Sequence, residues 1–178
     1  VRKPVMVVAA NLLTRRVNDR NAGTVALFSD GAGAVLLEPA DPSHVLGTHL
    51  ASEGASYDVI GIPAGGTREP LTASGLNEGR HLMTIHRGSA LFKHAVNAMA
   101  IAGKEAMKMA GVTADVIDWW IPHQANIRIT RDTGHLLGIP PERTISIVEQ
   151  YGNSSAATIP IGLAHGVDSG LIQPGNIL

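Results

Sequence analysis

Two short runs of this chain carry residue types that could do chemistry together. The first is Pro122-His123-Gln124-Ala125-Asn126-Ile127-Arg128, and the second is Tyr151-Gly152-Asn153-Ser154-Ser155-Ala156-Ala157. Each follows an apolar stretch that reads as a buried strand and stands just before a helical pattern. In open α/β sheets such strand ends are where ligands bind. His123 and Asn153 lie 30 residues apart, the length of one strand-helix-strand unit, so neighbouring strands could present them side by side. A neutral imidazole N–H and a carboxamide N–H aimed at one point form a dipolar site for a developing oxyanion. Neither group has to change protonation to do this. The alternative is local: His123 caps a backbone carbonyl and Asn153 serves the turn beside Gly152.

Positioning these runs requires strands and helices in alternation. Val5 to Ala10 reads as a buried strand, and Thr24 to Asp30 and Ala34 to Leu37 as two more, with Asp30-Gly31-Ala32-Gly33 as the hairpin turn between them. Val45 to Ser52 is a fourth strand by its pattern. Gly54 to Gly79, rich in Gly, Pro, Ser and Thr, reads as a long loop. From His86 to Ala110 apolar residues recur at three and four, predicting a long amphipathic helix ended by Gly111. Val116 to Ile121 predicts a strand stopped by Pro122, Ile127 to Leu137 a helix, and Thr144 to Val148 a strand. Ser154 to Val167 predicts the last helix, with Ser154 or Ser155 as its N-cap. This order favours parallel strands covered by helices, an α/β layered architecture.

Composition excludes several classes. Hydrophobic residues make up 44% of the 178 and charged residues 16%, a balance that favours a packed core over disorder. The formal net charge is −1, so no global field draws phosphate backbones, and the 3% of aromatics are too few for a base-stacking platform. Nucleic acid is not expected as a partner. Cysteine is absent, which removes disulfides, thiolate metal sites and a cysteine nucleophile supplied by this chain. No apolar run approaches the roughly 18 residues of a membrane helix, and Val1-Arg2-Lys3-Pro4 lacks a signal peptide's apolar stretch, so no membrane and a cytoplasmic location are expected. The ends, Val1 in place of Met and Gln173-Pro174-Gly175-Asn176-Ile177-Leu178, read as those of a piece cut from a longer chain. A short protein with frayed ends is the competing expectation.

Weaker signals point elsewhere less well. Gly31-Ala32-Gly33 lacks the third glycine and downstream acid of a dinucleotide-binding loop. The histidines His81, His86 and His94 are spaced five and eight apart, which does not suit a metal site, and none is expected. Ser154 and Ser155 lack the Gly-x-Ser-x-Gly surroundings of a hydrolase nucleophile. Arg87, Lys93, Lys104 and Lys108 read as a solvated helix face.

Three runs taken together resemble, in order and spacing, the β-ketoacyl-acyl carrier protein synthase III family. They are Phe28-Ser29-Asp30-Gly31-Ala32-Gly33-Ala34, Trp119-Trp120-Ile121-Pro122-His123-Gln124-Ala125-Asn126-Ile127-Arg128-Ile129, and Tyr151-Gly152-Asn153-Ser154-Ser155-Ala156. The resemblance runs from about Val5 to Leu178 and implies a thiolase-like layered αβαβα fold, here an incomplete copy. Residues 1–43 would end the N-terminal half and 44–178 form most of the C-terminal half. It implies an acyltransferase of fatty acid or polyketide biosynthesis. An acyl group passes from acyl-CoA to a cysteine, and malonyl-acyl carrier protein then decarboxylates and attacks it.

By the same resemblance His123 and Asn153 are catalytic and hold the malonyl thioester oxygen. Asn126 would line or order the site, and Arg128 would meet a carrier or coenzyme phosphate. Gly88 and Phe92 would lie near the pantetheine tunnel, and the basic helix face would dock the acidic carrier. No cofactor is implied beyond the acyl-CoA and malonyl-acyl carrier protein substrates, and a homodimer is implied for the intact protein. The chain departs from the family's pattern in lacking its nucleophilic cysteine and the glycine-rich strand expected after Leu178. Ala22 and Ser89 stand where an Arg and an Asn are usual. This chain alone is therefore expected to be inactive, and a non-catalytic half-fold that binds acyl carrier protein or dimerises is the alternative.

Overall fold

The structure, a computed structural model, describes residues 3–19 and 21–178. The expected opening of the first half at Val1 and Arg2 lies outside those residues. Strand β1 (Val5–Asn11) is followed by a four-residue helix α1 (Ala22–Val25) and strand β2 (Gly31–Leu37). The short strands β3 (Ile60–Gly61) and β4 (Thr84–Ile85) flank helix α2 (Ala73–Asn77). Then come α3 (Gly88–Ala110), α4 (Ile127–Leu137), the short α5 (Val148–Tyr151) and α6 (Thr158–Asp168). The chain is mixed α/β, as expected.

β1 and β2 pair antiparallel from Val5↔Leu37 to Asn11↔Gly31. The expected strand over Thr24–Asp30 is not formed. Asn21 Oδ1 accepts the N–H groups of Gly23 and Thr24 and so caps α1, a local device that outcompetes the β-branched and aromatic pattern. The expected turn at Gly31–Gly33 lies inside β2. Its glycines are needed for close packing: a Cβ on Gly31 would stand 2.7 Å from Ser154 Cβ, and one on Gly33 2.8 Å from Pro160 Cβ. In this way β2 is pressed against the entry to α6.

Val45–Ser52, expected as a strand, has no partner strand and no ladder among the described residues. It runs instead beside the end of α3, where the Thr48 N–H points at Met109 Sδ, 3.5 Å away, and Leu50 is 96% exposed. Val116–Ile121 and Thr144–Val148 are likewise not full strands. They meet in a single parallel bridge, Trp120↔Thr144, with Trp120 N–H on Arg143 O at 2.7 Å and Ile145 N–H on Trp120 O at 2.9 Å. Val148 already begins α5. A second parallel bridge joins Phe28 to Asn153.

α3 packs on α4 and α6 on β2. α3 ends at Gly111 as expected, and α4 ends at Gly138, both glycines lying in the left-handed region at φ 69° and 76°. The core under α4 is Ile117, Leu137 and Ile139, joined by Met107, Val112, Trp120 and Ile177. Buried Ile145 and Ile147 lie under Gly162 of α6. The expected N-cap from Ser154 or Ser155 is absent. A 3-10 turn (Ser155–Ala157) precedes α6 with no side-chain cap from Ser154, and the Ser154 Oγ is buried without a partner among the described residues.

Candidate active site

Pro122 ends the extended segment after Trp120, and the next two residues, His123 and Gln124, are fixed by hydrogen bonds to elements far away in sequence. Gln124 is fully buried. Its Nε2 donates to the carbonyls of Pro122 at 3.1 Å and Ile145 at 2.9 Å, and its Oε1 accepts the Ile147 N–H at 3.2 Å. One carboxamide thus stands in for the ladder that the two parallel segments lack, satisfying buried backbone groups that would otherwise be orphaned. This holds the neighbouring His123 against the start of α6.

The His123 ring is partly buried, with Nδ1 2.7 Å from Thr158 Oγ1. Burial pushes its pKa below the ordinary 6.5, with the Ser155 backbone acting the other way, so the imidazole is neutral at pH 7. Its Nε2 makes no hydrogen bond among the described residues. Thr158, fully buried, also receives the Gln124 N–H at 3.3 Å and stands 2.8 Å from the Ser155 carbonyl.

Asn153 arrives from the other side. It is held by the exchange of two backbone bonds with the Leu27–Ser29 segment, each 3.0 Å. After Gly152, which takes φ 66°, the chain turns sharply. Asn153 Oδ1 accepts the N–H of Ser155 at 3.0 Å, and this bond fixes the amide so that Nδ2, its two donors, is the free end. Ser155 itself sits at φ 58°, an uncommon left-handed conformation for a residue with a Cβ. Both sides of Ser155 are therefore in use: its N–H orients Asn153, and its carbonyl meets the hydroxyl that touches His123.

The other four residues singled out in the sequence fall on two helix starts. Asn126 is the N-cap of α4, its Oδ1 accepting the Arg128 N–H at 2.9 Å, the same capping logic as at α1. The Arg128 guanidinium lies 5.3 Å from the centroid of the Phe92 ring, a cation–π contact that ties α4 to α3. Gly88 opens α3, and a Cβ there would meet only Ile85, at 3.8 Å, so packing does not demand a glycine. The structure thus joins Arg128 with Phe92, and His123 with Asn153 through Ser155 and Thr158.

Gln124 and Thr158 were not singled out for a role in the sequence. Gln124 lies within the quoted run, but its bonds reach across 21 and 23 residues. Thr158 looks like any β-branched residue at a helix start. Among the described residues, no three His, Asp or Glu side chains gather as a metal ion would require, and no helix is long and apolar enough to cross a membrane.

Residues 107–178 match the family described as 3-oxoacyl-acyl-carrier-protein synthase III C terminal, and residues 1–54 match the family described as 3-oxoacyl-acyl-carrier-protein synthase III. The 3-oxopimeloyl-acyl-carrier-protein synthase of Rhodothermus marinus is 45% identical over 98% of this chain and 50% of its own length. The β-ketoacyl-acyl-carrier-protein synthase III of a Roseiflexus species is 39% identical over 97% of this chain and 52% of its own. Among solved structures, 3-oxoacyl-(acyl carrier protein) synthase III from Pseudomonas aeruginosa superposes with a TM-score of 0.85 at 29% identity, covering 98% of this chain and 52% of that one. The synthase III of Aquifex aeolicus superposes with a TM-score of 0.83 at 32% identity, with the same coverage. The fold is thus the thiolase-like one, and the chain spans about half the length of the curated relatives it matches.

Proposed function

Because this chain belongs to the 3-oxoacyl-(acyl carrier protein) synthase III family, we propose that the intact protein catalyses a decarboxylative Claisen condensation. In that reaction a malonyl thioester loses CO2, the electrons of the broken C–C bond pass onto the thioester oxygen, and the resulting carbanion attacks an acyl thioester, whose thiolate leaves. Charge develops on one oxygen. The residues of this chain suited to receive it are His123 through Nε2 and Asn153 through Nδ2, two neutral donors whose other ends are already engaged. Preorganised donors of this kind typically contribute a factor of about 10²–10³ each.

The observation that carries this reading is that one turn, Ser155 to Thr158, orients both side chains. The thiol that holds the acyl group must come from outside these 178 residues, since they include no cysteine, and this chain by itself transfers no acyl group. Neither step calls for a cofactor beyond the two thioesters. Arg128, at the start of α4, would meet a phosphate of the carrier protein's arm or of coenzyme A while stacked on Phe92, and Gly88 would allow that arm close approach. A cytoplasmic homodimer working with acyl carrier protein completes the reading.

A dicarboxylic acyl group is a second reading for the donor. The relative at 45% identity is named for a 3-oxopimeloyl product, and a two-carbon malonyl extension reaches that product from a five-carbon acyl group with a terminal carboxylate. A cleft of 840 Å³ is lined by Arg68, Arg80 and Arg87; Arg80 is paired with Glu69 and Arg87 with Asp58 in the same lining, so Arg68, over the Tyr57 ring, is the guanidinium suited to such a carboxylate. Supplying the intact protein with malonyl-acyl carrier protein and either acetyl or glutaryl thioester tests both readings. A 3-oxoacyl product is expected from one of them and none from this chain alone. If the intact protein gives no product with either, or a variety of other straight-chain donors, the condensation is refuted.

A further inference from the structure

The two parallel segments that lead to the site stop pairing at a defined step. At the Trp120↔Thr144 bridge the ladder is regular: the Trp120 N–H meets the Arg143 carbonyl at 2.7 Å and the Ile145 N–H meets the Trp120 carbonyl at 2.9 Å. The next rung of a parallel ladder would need a Pro122 N–H for the Ile145 carbonyl and would bring the Ile147 N–H to the Pro122 carbonyl. Proline has no N–H, so that rung cannot close. The carboxamide of Gln124 takes its place. Its Nε2 gives one hydrogen to the Ile145 carbonyl, at 2.9 Å, and the other to the Pro122 carbonyl, at 3.1 Å, while Oε1 receives the Ile147 N–H at 3.2 Å. Every main-chain group of the missing rung is satisfied, and both ends of the amide are in use.

An amide lying between two main chains keeps them further apart than a closed rung would, and it does so where they diverge toward the site. On one side the chain passes directly to His123, whose ring rests on Thr158. On the other, Ile147 leads through α5 to Gly152 and Asn153. α5 itself hangs on the Ile147 carbonyl, which accepts the N–H groups of Gln150 and Tyr151 at 3.1 and 2.9 Å. Gln124 is fully buried, and its amide has no end left to touch substrate. Stability alone does not call for this device, since any residue with an N–H at position 122 could close the rung directly. Pro122 and Gln124 together hold it open.

We propose that Gln124 is a positioning residue whose carboxamide, inserted at the rung that Pro122 leaves open, fixes the separation of His123 from Asn153 and so lets both side chains reach one oxygen. The inference rests on the condensation reading above. The Gln124 backbone N–H, 3.3 Å from Thr158 Oγ1, ties the same residue to the start of α6, so the spacer and the seat of the His123 ring move together.

The test measures urea midpoints, acyl transfer to the thiol and malonyl decarboxylation in the intact protein, for Gln124→Ala, for the double variant Pro122→Ala/Gln124→Ala and for His123→Ala. Gln124→Ala is expected to lower the midpoint and to cut kcat for decarboxylation about 100-fold, as a misplacement of about 1 Å does. KM for malonyl-acyl carrier protein and the rate of acyl transfer are expected to stay close to wild type. In the double variant the backbone N–H regained at position 122 can close the rung, so the midpoint is expected to recover while decarboxylation stays low. Recovery of both together makes Gln124 a structural residue only and overturns the inference. A midpoint that does not recover, or a double variant that fails to fold, overturns it as well, because the amide then does not replace that rung. Should Gln124→Ala alone fail to fold, the double variant decides: folded and slow supports the inference, folded and fast refutes it. Normal decarboxylation in the Gln124 variants beside a slow His123→Ala refutes the role of Gln124 alone, whereas full decarboxylation in His123→Ala refutes the condensation reading beneath it.

Discussion

The side-chain oxygen of Asn153 accepts the backbone N–H of Ser155, two residues on, at 3.0 Å. The bond does two things at once. It stabilises a turn in which Ser155 takes a positive φ, and it commits one end of the amide so that only N–H donors remain at the other.

Asn153→Asp separates these two effects. The aspartate keeps an oxygen for the Ser155 N–H but has no donor to offer and repels a growing anion. In the intact protein the melting temperature is expected to hold within a few degrees while malonyl decarboxylation falls by about 10²–10³. Calorimetry beside a CO2-release assay measures both. A variant that decarboxylates normally would remove Asn153 from the reaction.

The pH dependence of stability carries the signature of His123. Its folded pKa lies below the ordinary 6.5 because of burial, so between these values the unfolded chain binds more protons than the folded one. Stability from this residue is present above pH 6.5 and is lost as pH falls through the folded pKa. His123→Gln is expected to melt with a shallower pH slope than the wild type between pH 7 and 5. Equal slopes in calorimetric scans would show that the ring is not held neutral by its surroundings.

Gln124→Leu tests the clamp. It leaves the Ile147 N–H and the Pro122 and Ile145 carbonyls without their partner. A loss of about 3 kcal/mol is expected from urea unfolding. A loss below about 1 kcal/mol would mean that water or relaxation replaces the amide.

Gly31→Ala probes the contact between β2 and the Asn153 turn. The new methyl would stand 2.7 Å from Ser154 Cβ and 3.1 Å from Ile161 Cδ1, and overpacking of this kind costs about 1–3 kcal/mol. Gly54→Ala meets nothing within 4 Å and is expected to be neutral. Denaturant midpoints that fail to separate the two variants would contradict the packing described.

What could be read from the sequence was local. The helix at Ile127–Leu137 follows from its spacing, and its bounds agree with the structure, which adds the Asn126 cap. Thr24–Asp30 misleads because a strand-like composition is overridden by the Asn21 cap, and Val45–Ser52 because an apolar pattern makes no strand without a neighbour to pair with. At the site, motif and spacing single out His123 and Asn153, and the structure brings both to the Ser155–Thr158 turn. Thr158 is not singled out, since its meaning depends on a 2.7 Å contact across 35 residues, which no local pattern encodes.

The central claim is that His123 and Asn153 together carry the charge of one thioester oxygen. Its most direct test is to measure, in the intact protein, acyl transfer to the thiol and malonyl decarboxylation separately for His123→Ala, Asn153→Asp and the double variant. The account predicts near-normal acylation, decarboxylation lowered at least 100-fold in each single variant, and little further loss in the double. Equal loss of both half-reactions, or decarboxylation that survives both substitutions, would contradict it.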